Sequence, residues 1–165
     1  SCKTSNTQCR NEVITNIFKF ITLGDIRNVQ NIVNKTKLDV NCDIMGRTLL
    51  IESTKNKRAQ IVAWLLSRNA KKELTDVKGN RALHWAASLG STEIIDILIA
   101  AKAYKNARAL SGETALHFAA LNGHLNVVLR LLDYEVDAEI KDALQRSAYD
   151  VAIANNHNAL AAHIL

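Results

Sequence analysis

Histidine is the residue of this chain best suited to chemistry, and there are five: His84, His117, His124, His157 and His163. His84 and His117 stand 33 residues apart in near-identical contexts, GNRALH and GETALH. A repeated imidazole could serve as a metal pair or an acid–base pair. The surroundings argue against both. No histidine has another at i+4 with a carboxylate partner, as a helical zinc site needs, and the two glycine stretches lack the lysine of a phosphate loop. No serine sits in G-x-S-x-G. Carboxylates crowd residues 133–142 (Asp133, Glu135, Asp137, Glu139, Asp142) without the order of a calcium loop, and read as a solvated acidic edge. The three cysteines, Cys2, Cys9 and Cys42, are odd in number and offer no zinc spacing. They read as free thiols in a reducing compartment, cytoplasmic or nuclear. The expectation is a chain that is not an enzyme, with no catalytic, cofactor-binding or metal-binding residue.

What positions these histidines is a repeat. GRTLLIESTKNKRAQIVAWLL, GNRALHWAASLGSTEIIDILI and GETALHFAALNGHLNVVLRLL start at Gly46, Gly79 and Gly112, a spacing of 33 both times. The period extends outward through aligned columns: Thr15, Thr48, Arg81, Thr114, Ser147; Ile17, Leu50, Leu83, Leu116, Tyr149; Gly24, Lys57, Gly90, Gly123, Asn156; Val29, Val62, Ile95, Val128; and Ile32, Leu65, Leu98, Leu131, Ile164. Five units fit, each reading as two short helices. In the third, Ala82–Leu89 is the first helix. The second is Thr92–Ala101, with Ile94, Ile95, Leu98 and Ile99 on one face. Gly90 separates them, since a tight helix–helix turn needs a residue that tolerates positive φ. Ser or Thr at the start of the first helix can cap it. Ala86, Ala87, Ala119 and Ala120 are small enough to let neighbouring first helices pack closely.

Composition agrees. A chain of 165 residues suggests one domain. At 48% hydrophobic but only 5% aromatic, its core must be mostly aliphatic and Ala, and with no proline it is free to be almost wholly helical. No apolar run approaches the ~18 residues of a membrane span, so no membrane insertion is expected. The polar start, SCKTSNTQCRN, lacks a signal-peptide core. The missing initial Met and an end within the apolar Ala161–Leu165 suggest a piece of something longer. The net charge of +5 is uneven: residues 1–72 balance at +8 and residues 73–165 at −3. Such polarity could steer an acidic partner.

A-L-H-W-A-A-S-L-G at 82–90 and T-A-L-H-F-A-A-L-N-G-H at 114–124 resemble the ankyrin repeat, whose signature is T-P-L-H-x-A-A-x-x-G-H. The resemblance covers about residues 11–165, strongest in the third and fourth units. It implies an all-α solenoid of stacked helix-turn-helix units with projecting β-hairpin loops. On that reading residues 1–10 are a flexible N-terminal segment, and the repeats run 11–42, 43–75, 76–108, 109–141 and 142–165, the last incomplete. It also implies that His84 and His117 bond backbone of the adjoining loop. There are departures. The family's Pro is replaced by Leu49, Ala82, Ala115 and Ala148. The Gly ending the second helix is replaced by Thr36, Asn69, Lys102 and Glu135; Asn69 tolerates the left-handed conformation, whereas at Lys102 and Glu135 lower stability or a longer helix is expected. Polar Asn28, Gln30 and Asn31 on the first unit's second helix suit a terminal cap.

In such an array the hairpin tips and the exposed ends of the first helices face the concavity. The tips are Ile44-Met45, Val77-Lys78, Leu110-Ser111 and Ala143-Leu144, and a loop tip in water has no folding reason to be apolar repeatedly. Either these tips bind a partner or they pack on one another. The expected partner-binding residues are Ile44, Met45, Arg47, Lys55, Val77, Lys78, Leu89, Leu110, Leu121 and Leu144. Trp85 and Phe118, at the x of L-H-x-A-A, read as core or groove packing. Trp64, with Ile97 and Arg130 in its column, could touch a flanking domain. The expected function is a protein-interaction module, an adaptor or scaffold whose partner carries an acidic-apolar segment. The alternative is a regulatory segment of a larger enzyme or channel, docking on its own chain. Nucleic-acid binding through the basic second unit (Arg47, Lys55, Lys57, Arg58, Arg68, Lys71, Lys72) lacks any accompanying signature and is disfavoured.

Overall fold

The computed structural model describes residues 7–165, with side chains from residue 10. Its helices form five successive pairs. These are α1 (Thr7–Leu23) with α2 (Ile26–Thr36), α3 (Leu49–Lys55) with α4 (Ala59–Ser67), and α5 (Ala82–Ser88) with α6 (Thr92–Ala100). Then come α7 (Ala115–Leu121) with α8 (Leu125–Asp133), and α9 (Ala148–Ala154) with α10 (Asn158–Ala161). The first helices from α3 to α9 start 33 residues apart. The one strand ladder among the described residues is short: β1 (Asp43–Ile44) pairs antiparallel with β2 (Arg47–Thr48). The fold is the expected all-α repeat solenoid.

The first helices lie side by side in one layer and the second helices in another. Buried Ala86, Ala87, Ala119 and Ala120 bring the first helices together most closely. The second helices carry the aliphatic core, Ile61, Val62, Leu65, Ile94, Ile95, Leu98, Val127, Val128 and Leu131. Burying such an apolar stripe supplies the main stabilisation of helices this short.

The period-marking turn residues all take positive φ: Gly24, Lys57, Gly90, Gly123 and Asn156. At the other end of the second helices, Asn69, Lys102 and Glu135 do the same at φ 62°, 65° and 55°. The longer helix expected at Lys102 and Glu135 does not form, and the side chains adopt the left-handed cap instead. The first unit differs. Its column residue is β-branched Thr36, which stays in α2, and Lys37 takes the left-handed position at φ 53°. With that shift Val33, not Ile32, joins Val29 as a buried residue of α2. α1 also differs from its counterparts. It runs 17 residues, so Thr15 lies inside it rather than capping it, its hydroxyl donating to Asn11 O. The expected boundary at residue 11 therefore falls within a helix. Residues 1–6, with Cys2, lie outside the described residues, as does the side chain of Cys9. Thr48 and Ser147 do act as caps, accepting from the Ile51 and Asp150 N–H groups.

Candidate functional site

The two signature histidines are buried and fully engaged. In His84, Nδ1 accepts from the Arg81 N–H at 3.0 Å, so Nε2 carries the proton and donates to Ala107 O at 2.8 Å. In His117, Nδ1 accepts from the Thr114 N–H at 3.2 Å and Nε2 donates to Arg146 O at 3.0 Å. Each ring therefore starts a helix and ties it to the loop that leads into the next first helix. Burial lowers the His84 pKa, outweighing the raising effect of the Ala107 carbonyl. With both nitrogens committed, neither imidazole has a lone pair left for a metal or a proton transfer.

A second set of groups joins each unit to the next. Arg58 donates to Thr22 O and stacks on Gly24; His124 pairs with Ser88 O and stacks on Gly90. Farther out, Asn41, Glu73 and Asn106 accept from the N–H groups of Lys71, Tyr104 and Asp137. The hairpins are pinned by aspartates. Asp76 accepts from the N–H groups of Lys78 and Asn80 and from the Trp85 indole. Asp142 accepts from Leu144 and Arg146 N–H and from the Arg146 guanidinium. Burial raises both carboxyl pKa values, but these donors outweigh it and leave both below the ordinary value.

On this scaffold the hairpin tips project. Four apolar tip residues stand in solvent: Met45 at 83% exposure, Val77 at 73%, Leu110 at 77% and Leu144 at 71%. Neighbouring tips do touch, but through backbone. Leu110 N–H donates to Lys78 O and Ala143 N–H to Ser111 O, while the Leu110 side chain overlies Gly79. Ladder packing therefore does not hide the apolar side chains. Leu121, at the end of α7, is exposed as well.

The remaining expected contacts divide. Ile44 is half-buried, because β1 turns it onto the core beside α1, and Met45 takes the exposed place. Leu89 is also half-buried. Arg47 is partly spent within the fold, 3.2 Å from Glu52 and 4.6 Å above the Phe18 ring. Lys78 is exposed, and Lys55 holds its ammonium 4.6 Å over the Trp85 ring. Trp64 is half-buried on α4, with the Arg68 guanidinium 6.0 Å from its ring.

Sequence reasoning missed a cavity of about 260 Å³ in the angle between hairpins and first helices. Trp85 and Phe118 wall it, with Lys78, Asn80, His84, Ser88, Ala109, Ser111 and Glu113 around them. A signal existed. The x column holds Lys19 and Glu52 as well as Trp85 and Phe118, and a column that admits charge is not plain core.

Paired helices stacked at a fixed period, joined by interlocking backbone bonds, define a repeat solenoid that presents a surface. Family models match it as "Ankyrin repeats (3 copies)" over residues 20–109 and as "Ankyrin repeats (many copies)" over residues 103–152. The chain belongs to the ankyrin-repeat family. Such repeats are generally protein–protein interaction modules and typically lack catalysis. Among the described residues, no helix is long and apolar enough to cross a membrane.

Proposed function

We propose that this chain is an adaptor or scaffold segment that binds a partner protein through its hairpin tips and the adjoining concave face. The observation that carries this reading is the solvent exposure of Met45, Val77, Leu110 and Leu144 on successive hairpins that are otherwise tightly tied. Apolar groups repeated at one edge of a rigid array cost solubility and add nothing to the core, so their use is contact with another surface. Arg47, Lys55 and Lys78 flank the first half of that edge, and Leu89 and Leu121 border it from the helix ends. A cytoplasmic or nuclear setting is part of the same reading. Cys42 is a buried free thiol whose pKa burial pushes up to about 11, which keeps it protonated and inert.

The test is Val77→Asp with Leu110→Asp in one chain. Both positions are exposed, so thermal unfolding should be unchanged. Affinity for the native partner should fall by more than about 1 kcal/mol per anchor, at least roughly fivefold each. An intact fold with unchanged affinity would move the partner to another surface.

A further inference from the structure

We propose that the cavity between Trp85 and Phe118 is the anchor pocket of the groove. It takes one uncharged apolar side chain from an extended segment of the partner protein, with an acidic residue beside it. This rests on the interaction reading above and adds the chemistry of the partner.

The walls are preorganised. The Trp85 indole N–H is fastened to Asp76 Oδ2 at 2.9 Å, and Phe118 packs against the His84 ring with centroids 5.6 Å apart. Little side-chain entropy remains to be lost when a guest enters. Size decides the kind of guest. At about 260 Å³ the space falls below the roughly 300–1,000 Å³ of a small-molecule site, so it suits a single side chain. Charge decides its chemistry. Glu113 and Lys78 at the cavity are of opposite sign, and the His84 proton is already donated, so the interior favours a neutral guest. The rim does not balance. Lys55, over Trp85, and Lys78 form no ion pair among the described residues. Of the nearby anions, Asp76 is taken by three N–H donors and Glu52 by Arg47 and Asn56, which leaves the single carboxylate of Glu113 facing two ammonium groups. The rim is therefore net positive by one charge, and a carboxylate arriving beside the anchor finds an ammonium group available. A nucleic acid fits less well. Its phosphates, continuing along the array, would run into the second half of the chain, where the balance is −3.

The experiment displays a library of short randomised peptides against the folded chain and synthesises the selected binders. Convergence on an apolar residue flanked by Asp or Glu is expected. In a Trp64→Phe background, Trp85 is the remaining tryptophan, and its emission should shift to the blue as a selected peptide binds. Two variants locate the contact. Ser88→Leu fills the cavity from α5, and Leu121 in the same column shows that leucine is accommodated there. Lys78→Glu reverses the rim at an exposed site. Each should weaken binding by about tenfold, the equivalent of one lost anchor or charge contact. Thermal unfolding of both variants should match the parent. Binders that ignore Ser88→Leu but lose affinity in the Val77→Asp, Leu110→Asp chain would overturn the pocket and leave the interaction surface standing. Indifference to all these changes would defeat both readings. Failure to select any peptide, convergence on basic sequences, or displacement of the peptide by a single-stranded oligonucleotide at equal concentration would also overturn the proposal.

Discussion

At the residue scale, the histidines act as structural joints with a defined protonation state. Nδ1 must accept and Nε2 must donate, so only the neutral ring satisfies both partners of His84 or His117. Replacing either with Ala leaves a buried carbonyl and N–H without their partner, at an expected cost of about 1–3 kcal/mol in chemical denaturation. For His84 the linkage adds a pH dependence. Its folded pKa lies below the ordinary 6.5, so the unfolded chain takes up the proton first as pH falls. The stability it contributes is complete above about 6.5 and is lost progressively as pH falls through its lowered folded value. Asp76 and Asp142 are likewise depressed, so their contribution is present above the ordinary 3.8 and is lost as pH falls below it. Denaturation midpoints measured against pH should thus decline in an upper and a lower stage. His84→Gln should flatten the upper stage and leave the lower one. A variant that retained the full upper decline would remove His84 as its source.

At the scale of the element, the left-handed caps separate what the sequence could say from what it could not. From α3 onward, helix starts, the turn column and the buried aliphatic faces were legible, because each follows from residue type at a fixed period; the first unit, with its early start and shifted face, was not. Whether Lys102 and Glu135 would end a helix or extend it was not legible, since cap strain and packing of the next loop compete within about 1–2 kcal/mol. The structure resolves this toward the cap, where the N–H groups of Ala103 and Val136 reach back to Leu98 O and Leu131 O. Thr36 goes the other way because β-branching makes the left-handed conformation costlier still. The candidate site was legible to the same degree. Tip positions follow from the period, but the inward turn of Ile44 and the cavity between Trp85 and Phe118 depend on how layers meet. If Lys102 and Glu135 carry cap strain, Lys102→Gly and Glu135→Gly should each raise stability by about 1 kcal/mol, read as a higher thermal midpoint. The reverse holds at the opposite turn. Gly123→Ala adds strain at φ 70° and places its Cβ 2.6 Å from the His157 ring, so it should lower the midpoint.

At the scale of the whole molecule, the array is a row of units stabilised by neighbours, and its weak seam can be located. The buried face of α3 carries Ser53 and Thr54, where α5 and α7 carry paired alanines. Both hydroxyls bond back to their own helix, Ser53 to Leu49 O at 2.7 Å and Thr54 to Leu50 O at 2.9 Å. They are satisfied, but such back-bonding weakens a helix slightly and places oxygen where an apolar contact would stand. The first helices also meet less extensively from α1 to α5 than from α5 to α9. Because a solenoid's stability is close to a sum of unit and interface contributions, opening should begin on the α1–α4 side and spare the centre. Native-state hydrogen exchange should therefore show the greatest protection in α5–α8 and less in α1–α4. Ser53→Ala replaces the hydroxyl with the methyl found in the neighbouring units and should be neutral to stabilising, by up to about 1 kcal/mol. It should slow exchange in α1–α4 while leaving α7 and α8 nearly unchanged. Uniform protection along the chain, or a Ser53→Ala variant markedly less stable than the parent, would place the seam elsewhere.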